Sequence, residues 1–413
     1  MLTNRLLLLL LTSLFAGGCV APLDAQTPAR KRRSEFRAAW VATVDNIDFP
    51  SRPGLSVAKL RDELDAIVAR AVELRLNALI FQVRPAADAF YDSPLEPWSE
   101  WLTGRQGKAP AQGFDPLAYV IERSHQRGLQ LHAWFNPFRC WHPAAKGEPH
   151  ERHVSQRAPQ LVAQYGKYQW MDPGEALARK WSLAVVQDVV RRYDVDGVHI
   201  DDYFYPYPEK GRPFPDDASF AKYREQGGKL GRDDWRRSNI DAYVERMYRL
   251  VHDEKPWLMV GISPFGIARP GVPKGIQAGL DQYRGLYADV PKWLRNGWLD
   301  YLAPQLYWPI DQAPQSFPVL LDYWHEQNTR GRAIWPGLYT SKIADGQPRA
   351  RRTELADQIQ LTRGHDPLMP GHIHFSFQAL RGDTERVGLP LQQVYAEPAD
   401  VPVLPWLGKR PGG

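Results

Sequence analysis

The sequence predicts an α/β chain closed into a single (β/α)8 barrel of the TIM type with long βα loops. Two observations predict it. Eight short apolar runs of strand character alternate with amphipathic stretches along nearly the whole chain. Three of the segments that follow strands, 84–115, 136–172 and 203–238, are far longer than a connection needs. Long segments on one face of a barrel are where binding sites are built.

The elements follow in order. Residues 36–44 (FRAAWVATV) read as the first strand and 57–75 as an amphipathic helix. Residues 78–83 (ALIFQV) are the second strand, and 116–127 a helix closed by Gly128. The third strand, 130–135 (QLHAWF), precedes a long loop and a helix over 175–192. Residues 197–201 form the fourth strand, 239–254 a helix, and 257–263 (WLMVGIS) the fifth strand. A helix over 281–296, a sixth strand over 299–307 (LDYLAPQLY) and a helix over 315–328 follow. The seventh strand is 333–339, the last barrel helix 351–362, and the eighth strand 372–377.

The ends are of another kind. In residues 1–19 a basic start and the apolar run Leu6 to Phe15 lead to Ala16-Gly17-Gly18-Cys19, a secretory signal with a lipobox-like end. The expectation is an exported periplasmic lipoprotein of the cell envelope, touching membrane only through a lipid on Cys19. Cleavage by the ordinary signal peptidase is the alternative. Residues 20–35 are a linker carrying Arg30-Lys31-Arg32-Arg33, 36–395 the barrel, and 396–413 a Pro/Gly-rich tail. Residues 401–407 (VPVLPWL) suit an extended segment packed across the barrel. Cys140 is the one other cysteine, so an acylated or removed Cys19 leaves no internal disulfide. A net charge of +5 spread over 47 acidic residues carries no nucleic-acid signature.

Strand parity separates wall from lumen. Leu79, Phe81 and Val83, then Leu131, Ala133 and Phe135, then Leu302 and Leu306 form an apolar set that belongs against the helices. The other parity, pointing inward, carries Gln82 and Arg84, His132, Trp134 and Asn136, His199 and Asp201, and Tyr301, Gln305 and Tyr307. On the eighth strand the same rule sends Ile373 and Phe375 outward and His372, His374 and Ser376 inward. A lumen that only needed filling would hold Val, Ile and Leu. This one is polar and aromatic, which suits a polyhydroxylated ligand.

The segment 196–206, DGVHIDDYFYP, is the most informative. Adjacent carboxylates end a strand there, beside rings able to stack on sugars. Together with FRAAWVATVDNIDFPS, FQVRPAADAFYDSPLEPWSEWLTGRQG, FDPLAYVIERSHQRGLQLHAWFNPFR, GISPFGIAR, WLRNGWLDYLAPQLYWPI and GHIHFSF, it resembles the glycosyl-hydrolase-10-like family of bacterial exported proteins and lipoproteins. That family includes a divisome-associated peptidoglycan glycosidase. The resemblance implies a β/α barrel that hydrolyses glycosidic bonds of cell-wall glycan, with peptidoglycan strands the first choice and no cofactor.

A pair of Glu residues after strands four and seven, as in a large clan of glycosidase barrels, is absent: these strands end in Asp201-Asp202 and Tyr339-Thr340-Ser341. Asp201 is the expected nucleophile or charge-bearing carboxylate, and Asp202 its neighbour. Glu100, between Trp98 and Trp101, is the expected general acid, with Glu96 and Asp45 as other candidates. Arg84 either clamps an acidic sugar substituent or pairs with Asp201. Asp45, Trp134, Asn136, Tyr203, Tyr205, Gln305, Tyr307 and Trp308 complete the substrate-binding set. His199, Asp201, His372 and His374 leave a metal-dependent hydrolase or deacetylase as a rival. A glycan-binding lipoprotein without catalysis is the third reading.

Overall fold

The structure is a computed structural model that describes residues 33–382 and 385–411. The signal segment and Cys19, with the lipid expected there, lie outside the described residues. Eight parallel strands surround one lumen: β1 Phe36–Val41, β2 Ala78–Arg84, β3 Gln130–Phe135, β4 Gly197–Ile200, β5 Met259–Ile262, β6 Tyr301–Leu302, β7 in two pieces (Ala333–Ile334 and Gly337–Leu338), and β8 Gly371–His374. The first piece of β7 pairs with β6 and the second with β8, while β8 pairs with β1. One strand therefore joins both edges and closes the barrel. Its break falls at Trp335-Pro336, where proline has no N–H for the ladder.

The longer helices packed between strands include α1 Val57–Glu73, α2 Pro116–Gln126, α3 Ala176–Arg192, α4 Arg232–Glu254, α5 Val290–Asn296, α6 Phe317–Gln327 and α7 Glu354–His365. Ser56, Asp115 and Asp289 cap α1, α2 and α5 by accepting from a backbone N–H three residues on. In α1 the buried face is Val57, Leu60, Leu64, Ile67, Val68 and Ala71, the spacing of a helix lying on a sheet. The helix expected over 281–296 is two pieces, because Asp289 and Pro291 restart it at α5. α4 begins a full two turns before the expected residue 239. Its first turns are charged and hide the periodicity, yet Arg236 there is buried against Asp216 at 2.6 Å.

Two apolar layers result. Leu79, Phe81, Val83, Leu131, Phe135, Val198, Ile200 and Leu302 face the helices. Phe36, Trp40, Ile80, Trp134, Met259, Tyr301, Trp335 and Ile373 fill the lumen. Low in it the Tyr301 hydroxyl lies 2.9 Å from His132 Nδ1 and 3.0 Å from His199 Nδ1. The expectation for β8 is overturned: Ile373 and Phe375 belong to the lumen cluster, while His372 and His374 point outward to the Tyr395 hydroxyl. The helix layer behind β8 is not dry, since Tyr395 and the Thr340 hydroxyl, 2.9 Å from His374 Nδ1, offer polar partners there.

The loop expected over 136–172 contains a small antiparallel side sheet of Arg139–Trp141, Val162–Tyr165 and Tyr168–Met171. At the opposite, N-terminal mouth of the barrel the tail forms a plug. Arg33–Ser34 pairs with Ala399–Asp400, Leu404 is buried in the lumen cluster, and Trp406 Nε1 donates to Asp300 at 2.8 Å. Arg410 reaches Asp196 at 2.9 Å. Ending the chain after Asp400 is expected to lower the melting temperature by several degrees while glycan binding persists, because the plug lies at the far end of the lumen from the long loops. Calorimetric melts of both chains decide it, and equal melting temperatures would refute the packing role.

Candidate active site

Asp201 and Asp202 leave the end of β4 on the face that carries the long loops, each only 3% exposed. Inward parity on β3 supplies the partners of Asp201. Its Oδ2 accepts from Trp134 Nε1 at 3.0 Å and from Asn136 Nδ2 at 3.3 Å. Asp202 accepts from the Tyr207 hydroxyl, and Gln305 in the same pocket donates through Nε2 to the Ser263 carbonyl at 3.0 Å. Both carboxyls line a pocket of about 270 Å³, walled by Trp40, Trp134, Tyr203, Tyr207, Tyr307 and Phe375. That volume sits just under the usual range for drug-sized ligands and suits one sugar ring.

The charges in this pocket are few and buried. Burial pushes the Asp201 carboxyl up to about 7; the Arg139 guanidinium pulls it back and the charge of Asp202 pushes it further. Burial also raises Asp202, opposed by the Tyr207 hydroxyl and the Gln305 amide. Both carboxyls are raised by burial, and the charge of either one favours the proton on the other. Arg139 is anchored on the Pro85 carbonyl at 3.0 Å, with its guanidinium 4.9 Å above the Tyr203 ring. Gln82 accepts from Thr43 N and Val44 N through Oε1, leaving its buried Nε2 without a protein acceptor. A buried donor of this kind, in a pocket wall, is ready for a ligand oxygen.

Of the residues singled out in the sequence, Asp201, Asp202, Trp134, Tyr203, Gln305 and Tyr307 line the pocket, and Asn136 stands behind Asp201. The others are elsewhere. Arg84 is fully buried in a two-pronged ion pair with Glu96, at 2.6 and 2.8 Å, so neither is a pocket group. Glu100 Oε2 accepts from Gly147 N at 3.0 Å and pins the following loop instead of meeting the pocket. Tyr205 is 1% exposed and packs on Phe214 and Tyr287. Trp308 lies edge-on to Phe265, and Asp45 is exposed on a turn at the rim.

Sequence reasoning missed Arg139, His142, Tyr207, Trp40, Ser263 and Phe375, all of which line the pocket. Trp40 and Ser263 were legible by extending the inward parity to β1 and β5. Phe375 was assigned to the wrong side. Arg139, His142 and Tyr207 sit on loop segments, where alternation says nothing. The donors of the metal reading are split, since His199 is in the lumen and His372 and His374 are outside the wall. Among the described residues no group of three His, Cys, Asp or Glu is placed to hold a metal ion.

Known proteins resemble this chain in sequence and in fold. Residues 35–351 match the model of the family described as glycosyl hydrolase-like 10. The chain is 39% identical to glycosyl hydrolase YngK of Bacillus subtilis, covering 96% of this chain and 79% of that protein. It is 32% identical to glycosyl hydrolase DigH of Escherichia coli, over 78% of each. Among solved structures, the PgaB (BpsB) glycoside hydrolase domain of Bordetella bronchiseptica superposes with a TM-score of 0.56 at 12% identity, covering 87% of this chain and 98% of that one. The catalytic domain of the Paenibacillus polymyxa β-amylase gives 0.56 at 10% identity, over 88% and 98%. At such identities the likeness is one of fold.

Proposed function

Because the chain belongs to the glycosyl hydrolase-like 10 family, we propose that it cleaves peptidoglycan glycan strands with Asp201 as proton donor and Asp202 as charge-bearing carboxylate. Glycosidase activity on a TIM-type barrel follows from the family and the fold. The substrate and the two roles are the finer reading. One observation carries it: two adjacent buried carboxyls, that of Asp201 pushed up to about 7, line an aromatic pocket the size of a sugar ring.

Glycoside cleavage needs a proton delivered to the leaving oxygen and negative charge beside an oxocarbenium-like centre. A carboxyl at about 7 is poised for the first task near neutral pH. Asp202, its charge supported by Tyr207 and Gln305, suits the second. Gln82 Nε2 and Arg139 would hold sugar oxygens, and the rings would cover the sugar's apolar faces. In the same reading the protein is exported and tethered in the cell envelope through Cys19, for which the segment 1–19 is the support. Membrane association that survives Cys19→Ser would count against the tether.

The test is mass spectrometry of products from defined, peptide-free strands of alternating N-acetylglucosamine and N-acetylmuramic acid. Shortened strands with a water added at each cut are expected. Intact strands that nevertheless bind would favour a glycan-binding protein, and loss of acetyl groups alone would favour a deacetylase.

A further inference from the structure

The side sheet and the loop after β4 form a surface that the pocket alone does not need. The hairpin Val162–Tyr165/Tyr168–Met171 turns through Gly166-Lys167, with Gly166 at a φ of +57°, as such two-residue turns require. The Tyr165 hydroxyl accepts from Glu209 N at 2.7 Å and donates to the Arg212 carbonyl at 2.9 Å, pinning the hairpin to that loop. Between them lies a second depression, lined by Tyr168, Trp170, Pro206 and Glu209 and sharing Tyr203 and Tyr207 with the carboxylate pocket. A third shares Tyr168 and Glu209 with the second and adds Lys167 and Arg212. Ring contacts run without a gap along this line: Tyr203–Tyr207 at 5.5 Å, Trp170–Tyr203 at 6.2 Å, Tyr168–Trp170 at 6.3 Å.

We propose that the three depressions are successive sugar positions, so that the ligand is a linear glycan of at least three units laid along the side sheet. This rests on the glycosidase reading of the first pocket. The middle position offers the ring of Tyr168 and the partly exposed Tyr203 and Tyr207, the kind of apolar surface that a sugar's C–H face covers. The outer position is polar. Lys167 is exposed there beside the Arg212–Glu209 ion pair, which suits hydroxyls and a sugar-borne carboxylate. A lone pocket of about 270 Å³ would take one end unit and be indifferent to chain length. A continuous track makes affinity grow with each added sugar until its positions are full.

The test is calorimetric binding to the full chain carrying Asp201→Asn, which blocks turnover. The probes are peptide-free strands of two, four and six alternating N-acetylglucosamine and N-acetylmuramic acid units. Affinity is expected to rise about tenfold or more from two to four sugars, and little from four to six. Adding Tyr168→Ala, which strips the middle and outer positions of a shared ring, should remove most of that rise and also weaken the disaccharide, whose second unit reaches the middle position. Tyr168→Phe, which keeps the ring, should restore both. Equal affinity at all lengths, with the parent chain cleaving the same strands, overturns the track and leaves the glycosidase reading standing. Length-dependent binding by a parent chain that cleaves nothing supports the track and sinks the catalytic reading. Absence of binding at every length overturns the track, and overturns the glycosidase reading too if the parent chain cleaves none of the strands.

Discussion

Asp201→Asn is expected to lower turnover of peptidoglycan strands by roughly a thousandfold, the usual scale for removing a general acid. Shape and most hydrogen bonds survive the change, so binding should persist. The pH dependence separates acid from nucleophile. A proton donor with its carboxyl at about 7 is active below that value, so kcat/KM should fall as pH rises through about 7. A nucleophile would show the reverse, a rise through the same range. Stability should move too. The folded carboxyl is raised above its ordinary 3.8, so the folded chain binds this proton more tightly than the unfolded one. The parent is therefore destabilised progressively between about pH 4 and 7, by an upper limit of about 4 kcal/mol. Asp201→Asn removes that loss, and its melting temperature at pH 8 should be no lower than the parent's. Near-native turnover in the folded variant, or a rate that climbs through pH 7, would sink the proton-donor role.

The barrel was legible because its signal is repetitive. Each strand is a short apolar run between helical stretches, and a wrong boundary on one is outvoted by the others. The lumen parity of β2, β3, β4 and β6 could be read because the helix side there is dry, so apolar residues mark it. That premise fails on β8, where Tyr395 offers the helix side a hydroxyl and the two histidines follow it. Parity also failed at Arg84, for a local reason. The ladder between β2 and β3 shifts register between Gln82 and Arg84, so Gln82 stands beside Trp134 but Arg84 beside the outward Phe135. No alternation rule anticipates a bulge.

The carboxylate pocket was half legible for the same reasons. Asp201, Asp202 and Trp134 sit at strand ends, where direction follows from the strand. Tyr203, one step on, lines the pocket, and Tyr205, two further, is buried away from it, because the chain has by then left the strand geometry. The side sheet was within reach: VAQYGKYQWM has apolar and aromatic residues flanking a Gly-Lys pair, the pattern of a hairpin. What no local pattern contains is the meeting of Arg139 with Asp201, which depends on how one loop folds back over another.

Arg84→Ala should be among the most damaging single substitutions in the chain, and its damage should be to the fold. Arg84 and Glu96 are both fully out of water, joined by two hydrogen bonds of 2.6 and 2.8 Å. The guanidinium also donates to the Asn136 carbonyl at 2.6 Å and the Pro137 carbonyl at 3.1 Å, which ties β2 to the start of the loop that carries the side sheet. Removing one partner leaves Glu96 as an uncompensated buried charge, with only Trp181 Nε1 at 3.0 Å still donating to it. Losses of that kind cost about 3–5 kcal/mol, which for a domain of this size lowers the melting temperature by roughly 5–10 °C. Had Arg84 been a clamp for an acidic sugar, the variant would keep its stability and lose affinity for muramic-acid strands. The ion pair predicts the opposite split: a much lower melting temperature, with the affinity of the fraction that remains folded at low temperature nearly unchanged. Replacing both residues, as Arg84→Met with Glu96→Leu, removes the orphaned charge and should recover much of the stability. A single substitution as stable as the parent, or a double one no better than the single, would show that the buried pair is not what holds this rim together.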